Sequence, residues 1–151
     1  MDNEELIKIK EDAVKIQISD LQDTVKSIEN ENIKSSFILG FAGILFGLVF
    51  NKVDILPLWQ AIVFIILLLS SIKLAFWNIT AKKVNIHINV DEIFVNNEPR
   101  KWEKYLNFKH LRLRKNYRNA KNLLYQKANY TRLSFVLLIL SAFFLAIIQL
   151  F

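Results

Sequence analysis

Residues 35–50 read SSFILGFAGILFGLVF and contain no charged side chain. As a helix this stretch would extend about 24 Å, and a few residues added at either end would match a hydrocarbon core of about 30 Å. Residues 58–79 and 133–151 are equally apolar apart from Lys73, whose long stem lets its ammonium reach the interface. Three such stretches leave little chain to cover them in water. The sequence therefore predicts an all-α membrane protein with three transmembrane helices.

The spans divide the chain into six segments. These are a cytoplasmic amphipathic helix (1–34), the first span (35–50), an external connector (51–57), the second span (58–79), a basic cytoplasmic segment (80–132) and the third span (133–151). Residues 78–132 carry thirteen bases and the connector carries one. Because basic loops stay inside, we expect a multi-pass protein of the cell inner membrane with a cytoplasmic N-terminus and an external C-terminus. We expect no cleaved signal peptide, because the chain begins with acidic residues.

A heptad pattern precedes the first span. Its members are Val14, Ile18, Leu21, Val25 and Ile28. Spacings of four and three place them on one face of a helix and predict a packing seam. Three partners stay open: the protein's own cytoplasmic segment, a second copy in a coiled coil, and the membrane surface. Residues 1–35 have a net charge of −4, which disfavours the membrane surface.

The segment after the second span contains two patterns. Residues 84–90 alternate apolar and polar side chains, which favours a strand and, with residues 93–95, a short β-hairpin at 84–95. A helical continuation of the second span competes with it. From Arg100 the pattern becomes helical and basic, and no helix breaker separates it from the third span, so we predict one long helix. Residues 78–132 have a net charge of +9, and the acidic N-terminal helix is the nearest partner for their basic face.

Small residues cluster in the first span. Gly40, Gly43 and Gly47 share a helix face, which Ser36 extends, and they predict close packing against another helix of the same or a neighbouring subunit. In the third span Ser134, Ser141 and Gln149 lie on one side. They would suit the lining of an oligomeric pore, but we favour hydrogen bonds from the serines to their own helix backbone.

Signals for enzymatic chemistry are nearly absent. The sequence has no catalytic or nucleotide-cradling motif, so we predict a protein that is not an enzyme and has no cofactor. It has two histidines and no cysteine, which are too few ligands for a usual catalytic metal site. The basic helix carries tyrosines, yet anionic lipid headgroups explain its charge more simply than nucleic acid does.

The order of these parts resembles a known family. SIENENIKSSFILGFAGILFGLV leads into the first span, NNEPRKW follows the second, and LRLRKNYRNAKNLLYQKANYTRL precedes the third. From about Ser27 onward this resembles the Pycsar transmembrane effectors and related membrane effectors of nucleotide-signalled antiphage systems. Lys34-Ser35-Ser36 stands where that family has a Lys followed by small residues. Asn119 and Lys127 stand where it has an Asn or Ser and then a Lys.

The resemblance implies a dormant protein that senses a cyclic nucleotide made during phage infection. Activated, it would permeabilise or depolarise the inner membrane and cause abortive infection. A phosphate-bearing messenger needs cationic donors, which are supplied by Arg112, Arg114, Arg118 and Lys121. Three helices cannot enclose an aqueous pore, so activity would require a homo-oligomer in the lipid bilayer. The alternatives are an accessory or scaffold membrane subunit that recruits a cytoplasmic partner, and a holin-like pore former that needs no ligand.

Overall fold

A computed structural model describes the backbone of residues 3–50, 57–80 and 99–150, and their side chains except at residues 3, 99–103 and 148–150. It contains three α-helices: α1 (Asn3–Phe50), α2 (Leu58–Thr80) and α3 (Pro99–Leu150). Each is long and apolar enough to cross a membrane. The predicted all-α, multi-pass membrane protein is therefore confirmed. The alternative strand or helix at 84–95 and most of the 51–57 connector lie outside the described residues.

The two long helices each join a polar half to an apolar half without a break. On α1, buried side chains recur every seven residues: Val14, Leu21, Ile28, Ser35, Ala42 and Val49. On α3 the same interval separates Leu106, Leu113, Ala120, Lys127, Ser134 and Ser141. A seven-residue repeat keeps one side of a helix facing its partners over many turns, as in coiled coils. The heptad pattern predicted for residues 14–28 therefore continues through the first span.

The chain forms two compact units. The first combines residues 1–27 with residues 83–124. Within its described part, Val14 and Leu21 of α1 are buried, as are Leu106, Leu113 and Ala120 of α3, while charged side chains cover the outer faces. An acidic amphipathic helix and a basic one thus belong to the same unit. Pairing between their charged faces stays a prediction.

The second unit combines residues 28–82 with residues 125–151, and it contains the three apolar stretches. Its core is made of aliphatic, alanine and aromatic side chains from all three helices: Ile38, Ala42, Val49, Phe64, Leu68, Ala75, Leu138 and Leu145. Many large apolar side chains point outward instead; Phe37, Ile44 and Leu58 are more than half exposed. In water such a surface would be prohibitively unfavourable, whereas in a bilayer it contacts lipid chains.

Polar contacts fix the direction of the three apolar stretches. Asn32 and Ser35 of α1 bond to Lys127 and Thr131 of α3, so residue numbers rise together and these helices run parallel. Asn78 of α2 bonds at the same level as Thr131. One turn further along α3, Ser134 bonds to residue 71 of α2, so α2 runs antiparallel.

Two serines hold α2 and α3 close together. The Ser71 hydroxyl donates to the Ser134 carbonyl oxygen at 2.8 Å, and the Ser134 hydroxyl donates to the Ser71 carbonyl oxygen at 2.7 Å. The two hydroxyl oxygens are 3.2 Å apart. Such a reciprocal pair is possible only where small side chains let the two backbones approach.

This contact can be tested by cross-linking, because the native chain has no cysteine. The double variant Ser71→Cys with Ser134→Cys should form a disulfide within one chain, since the side-chain separation suits disulfide geometry. Peptide mass spectrometry after mild oxidation would detect it. Leu69→Cys with Ser134→Cys is the control, because Leu69 is exposed. Equal yields for both pairs, or cross-links only between chains, would contradict the described packing.

Candidate functional site: a buried polar layer

A layer of polar side chains crosses the interior of the second unit where the three apolar stretches meet at one end. Ser35, Asn78 and Thr131 come from α1, α2 and α3, and all three are buried. The Asn78 side-chain amide donates to the Ser35 and Thr131 hydroxyl oxygens, each at 2.7 Å. The two hydroxyl oxygens are 3.3 Å apart. One asparagine thereby joins all three helices.

Lys127 completes the layer. This side chain is 1% exposed, and its Nζ donates to Asn32 Oδ1 at 2.8 Å and to the backbone carbonyl oxygen of Asn78. Its own carbonyl oxygen accepts the Thr131 hydroxyl at 3.0 Å. Among residues 3–50, 57–80 and 99–150 it forms no ion pair with a carboxylate. Among the described residues, the buried ammonium therefore donates hydrogen bonds only to neutral oxygen atoms.

The position of Asn78 explains how the ammonium is accommodated. Asn78 lies in the last turn of α2, where backbone carbonyl oxygens lack intrahelical donors and carry the negative end of the helix dipole. A lysine ammonium can bond to these oxygens and favourably meets the dipole. The Thr80 hydroxyl lies within donating distance of two neighbouring carbonyl oxygens, those of Phe76 and Trp77. The end of α2 thus substitutes for the missing carboxylate.

The layer is incompletely satisfied. Asn78 Oδ1 is buried and has no hydrogen-bond partner among the described residues. An ammonium without a carboxylate and an amide oxygen without a donor both raise the free energy of the closed packing, each by about 1–3 kcal/mol or more. An ionisable side chain that is buried in a protein interior without an opposite charge is a candidate functional residue. We therefore take the layer as the candidate functional site.

The four cations predicted to bind a phosphate are all exposed on α3: Arg112, Arg114, Arg118 and Lys121. At about 100° per residue, Arg114, Arg118 and Lys121 fall within an arc of about 60°, and Arg112 lies about 160° from its neighbour Arg114. Three of the four therefore share one face. Lys121 is also 6.0 Å from the Tyr117 ring centre, and the Arg112 guanidinium is 5.9 Å from that of Phe108.

The predicted glycine face is open. Gly40, Gly43 and Gly47 are exposed, and a Cβ added at any of them would meet no atom within 4 Å. Ser36 is exposed as well, and its hydroxyl donates to the Asn32 carbonyl oxygen at 3.1 Å. Within the described part of this chain the face therefore has no helix packed against it, which leaves it to lipid or to a neighbouring subunit.

The apolar seam predicted for residues 14–28 of α1 is largely buried within the single chain. Val14, Leu21 and Ile28 are buried, and Ile18 and Val25 are half-buried. Self-association through this seam stays a prediction, and it would require these side chains to leave their present packing.

Two of the three predicted pore-lining residues are buried inside the single chain. Ser134 bonds to α2, and Ser141 donates to the Leu138 carbonyl oxygen of its own helix at 2.7 Å. The Gln149 side chain lies outside the described side chains. A pore lined by these serines would require the three helices to separate or rearrange.

Sequence reasoning reached only part of the polar layer. Lys127 and Ser35 were singled out by family resemblance, whereas Asn32, Asn78 and Thr131 were missed. The seven-residue repeat is a signal that identifies both: Ser35 is the one polar residue of the repeat on α1, and Lys127 is the one charged residue of the repeat on α3. Comparison of this chain with known protein families, curated proteins and solved structures found no match.

Replacing Asn78 tests the layer directly. Asn78→Ala should lower the free energy of unfolding by about 1–2 kcal/mol, because two buried hydroxyl groups lose their donor. Unfolding of the protein by sodium dodecyl sulfate in mixed micelles, followed by tryptophan fluorescence, would measure this change. The control Asn119→Ala removes an exposed asparagine and should change it by less than about 0.5 kcal/mol. A similar effect of both substitutions would show that the layer carries no special stability.

Proposed function

We propose that this chain is a dormant antiphage effector of the inner membrane that permeabilises or depolarises the bilayer by oligomerising when a cyclic nucleotide binds. Its N-terminus and its basic segment face the cytoplasm, where such a messenger is made. The observation that carries the proposal is the polar layer around Lys127. A buried ammonium without a carboxylate partner makes the closed packing a state of limited stability, which a modest binding energy is able to displace.

The trigger would act on the basic half of α3. Arg114, Arg118 and Lys121 present three cationic groups on one face, which suits a phosphate bonded to more than one donor. In the resting state the acidic half of α1 packs in the same unit as this half of α3. These cations are exposed in the resting state. An anionic ligand would therefore bind them directly, and it would shift the equilibrium by its difference in affinity for the two states. We call the surface formed by Arg114, Arg118 and Lys121 the ligand face. The same helix, α3, also carries Lys127 of the polar layer.

Opening would release polar groups that are at present satisfied inside one chain. Ser134, Ser141 and Lys127 would then be available to line an aqueous path between several subunits. The exposed glycine face of α1 supplies a surface on which subunits can pack closely. This account needs no catalytic residue and no cofactor.

Expression in bacteria separates the proposal from its rivals. A holin-like protein would be toxic immediately, and a scaffold subunit would be harmless under any trigger. The proposed effector becomes toxic only when a cyclic nucleotide is produced.

A leakage assay tests the ligand face. Protein in liposomes loaded with a fluorescent dye should release it on addition of one of the cyclic nucleotides cAMP, cGMP, cCMP or cUMP. Arg118→Glu should raise the concentration needed by at least about tenfold, since reversing one charge in a phosphate contact costs about 1.5–3 kcal/mol. Lys104→Glu, which changes an exposed cation about four turns from Arg118 on α3, is the control. Leakage that responds identically in both variants, or to none of the four nucleotides, would refute the proposed sensing.

The glycine face gives a separate test of oligomerisation. Gly43→Leu should leave the stability of the single chain nearly unchanged, because the added side chain meets open space. It should strongly reduce both cross-linking between subunits and triggered dye release. Leu48→Phe adds bulk at an exposed position off this face and should affect neither. Normal oligomers of the Gly43→Leu variant would show that subunits meet elsewhere.

A further inference from the structure

A groove lies between α1 and α3 on the outside of the second unit. Its volume is about 450 Å³, which is within the range of pockets that hold small molecules, roughly 300–1,000 Å³. The side chains around it change character along its length. Glu31, Lys34 and Arg132 lie at one end, and aromatic residues line the remainder.

The charged end of the groove has a net positive charge. The Lys34 ammonium is 2.6 Å from a Glu31 carboxylate oxygen, so these two charges largely cancel. Arg132 is exposed and forms no ion pair with any carboxylate in the described ranges. Its guanidinium is therefore the group at this end that is best suited to bind an anion.

The other end is apolar and lies deeper in the membrane-crossing part. Phe37 and Phe41 of α1 and Phe135 of α3 line it, one to two helical turns beyond the charged end. All three rings are more than half exposed, so they present a wide apolar wall to whatever occupies the groove. A cationic group followed by aromatic walls matches the order of headgroup and acyl chain in a lipid.

We infer that this groove binds one anionic glycerophospholipid, with its phosphate on Arg132 and an acyl chain along Phe37, Phe41 and Phe135. Charge complementarity selects the headgroup, because an anionic lipid neutralises a guanidinium that pairs with no carboxylate in the described part of the chain. The site adjoins the polar layer, since Thr131 belongs to both. A bound lipid would bridge α1 and α3 and so stabilise the closed packing.

Native mass spectrometry of the full chain tests this inference without any nucleotide. Protein released from bilayers of equal phosphatidylglycerol and phosphatidylcholine should retain phosphatidylglycerol preferentially. Arg132→Gln should lower the retained ratio of phosphatidylglycerol to phosphatidylcholine by about tenfold, because one charge-assisted hydrogen bond is lost. Phe37→Ala should reduce the retention of both lipids, because it removes part of the wall along the acyl chain.

Two matched controls lie on α2, away from the groove. Lys73→Gln removes an exposed cation and Phe76→Ala removes an exposed ring, and neither residue lines the groove. Both variants should retain lipid as the unaltered protein does. No preference for phosphatidylglycerol in the unaltered protein, or an equal loss of preference in Arg132→Gln and Lys73→Gln, would overturn the inference and indicate general surface lipid only.

Discussion

The contact between the Lys127 ammonium and the last turn of α2 is the interaction on which the rest of the described packing depends. It places a charge inside a membrane protein with no carboxylate paired to it among the described residues. A buried ammonium requires compensation, and the last turn of α2 supplies it through a backbone carbonyl oxygen and the helix dipole. The requirement fixes the level at which α2 ends relative to α3, and Asn78 then joins that level to Ser35 of α1.

The layer also gives the bundle a defined register. Alanine, leucine and serine contacts along the apolar stretches tolerate small shifts of one helix against another, whereas hydrogen-bonded polar groups do not. A polar residue at a buried heptad position commonly specifies alignment at a cost in stability. Here the cost includes an amide oxygen that has no partner among the described residues and an ammonium that pairs with no carboxylate there.

The apolar stretches and the seam at residues 14–28 were readable from the sequence, because both depend on local patterns of hydrophobicity. The polar layer was not, because Asn78 and Thr131 stand near the ends of apolar stretches, where polar residues are ordinary. Whether they form a polar layer depends on which residues of the other helices lie beside them in the folded chain. The open glycine face shows the opposite case: the spacing of Gly40, Gly43 and Gly47 predicts a helix contact, but a single chain does not supply the partner.

Solid-state nuclear magnetic resonance of the protein in lipid bilayers tests the central contact most directly. With labelled lysine nitrogen and asparagine carbonyl carbon, we expect a through-space contact of under about 4 Å between Lys127 Nζ and the Asn78 backbone carbonyl carbon. We also expect this nitrogen to be shielded from water. A Lys127 nitrogen that exchanges magnetisation with water and shows no contact to Asn78 would contradict the account.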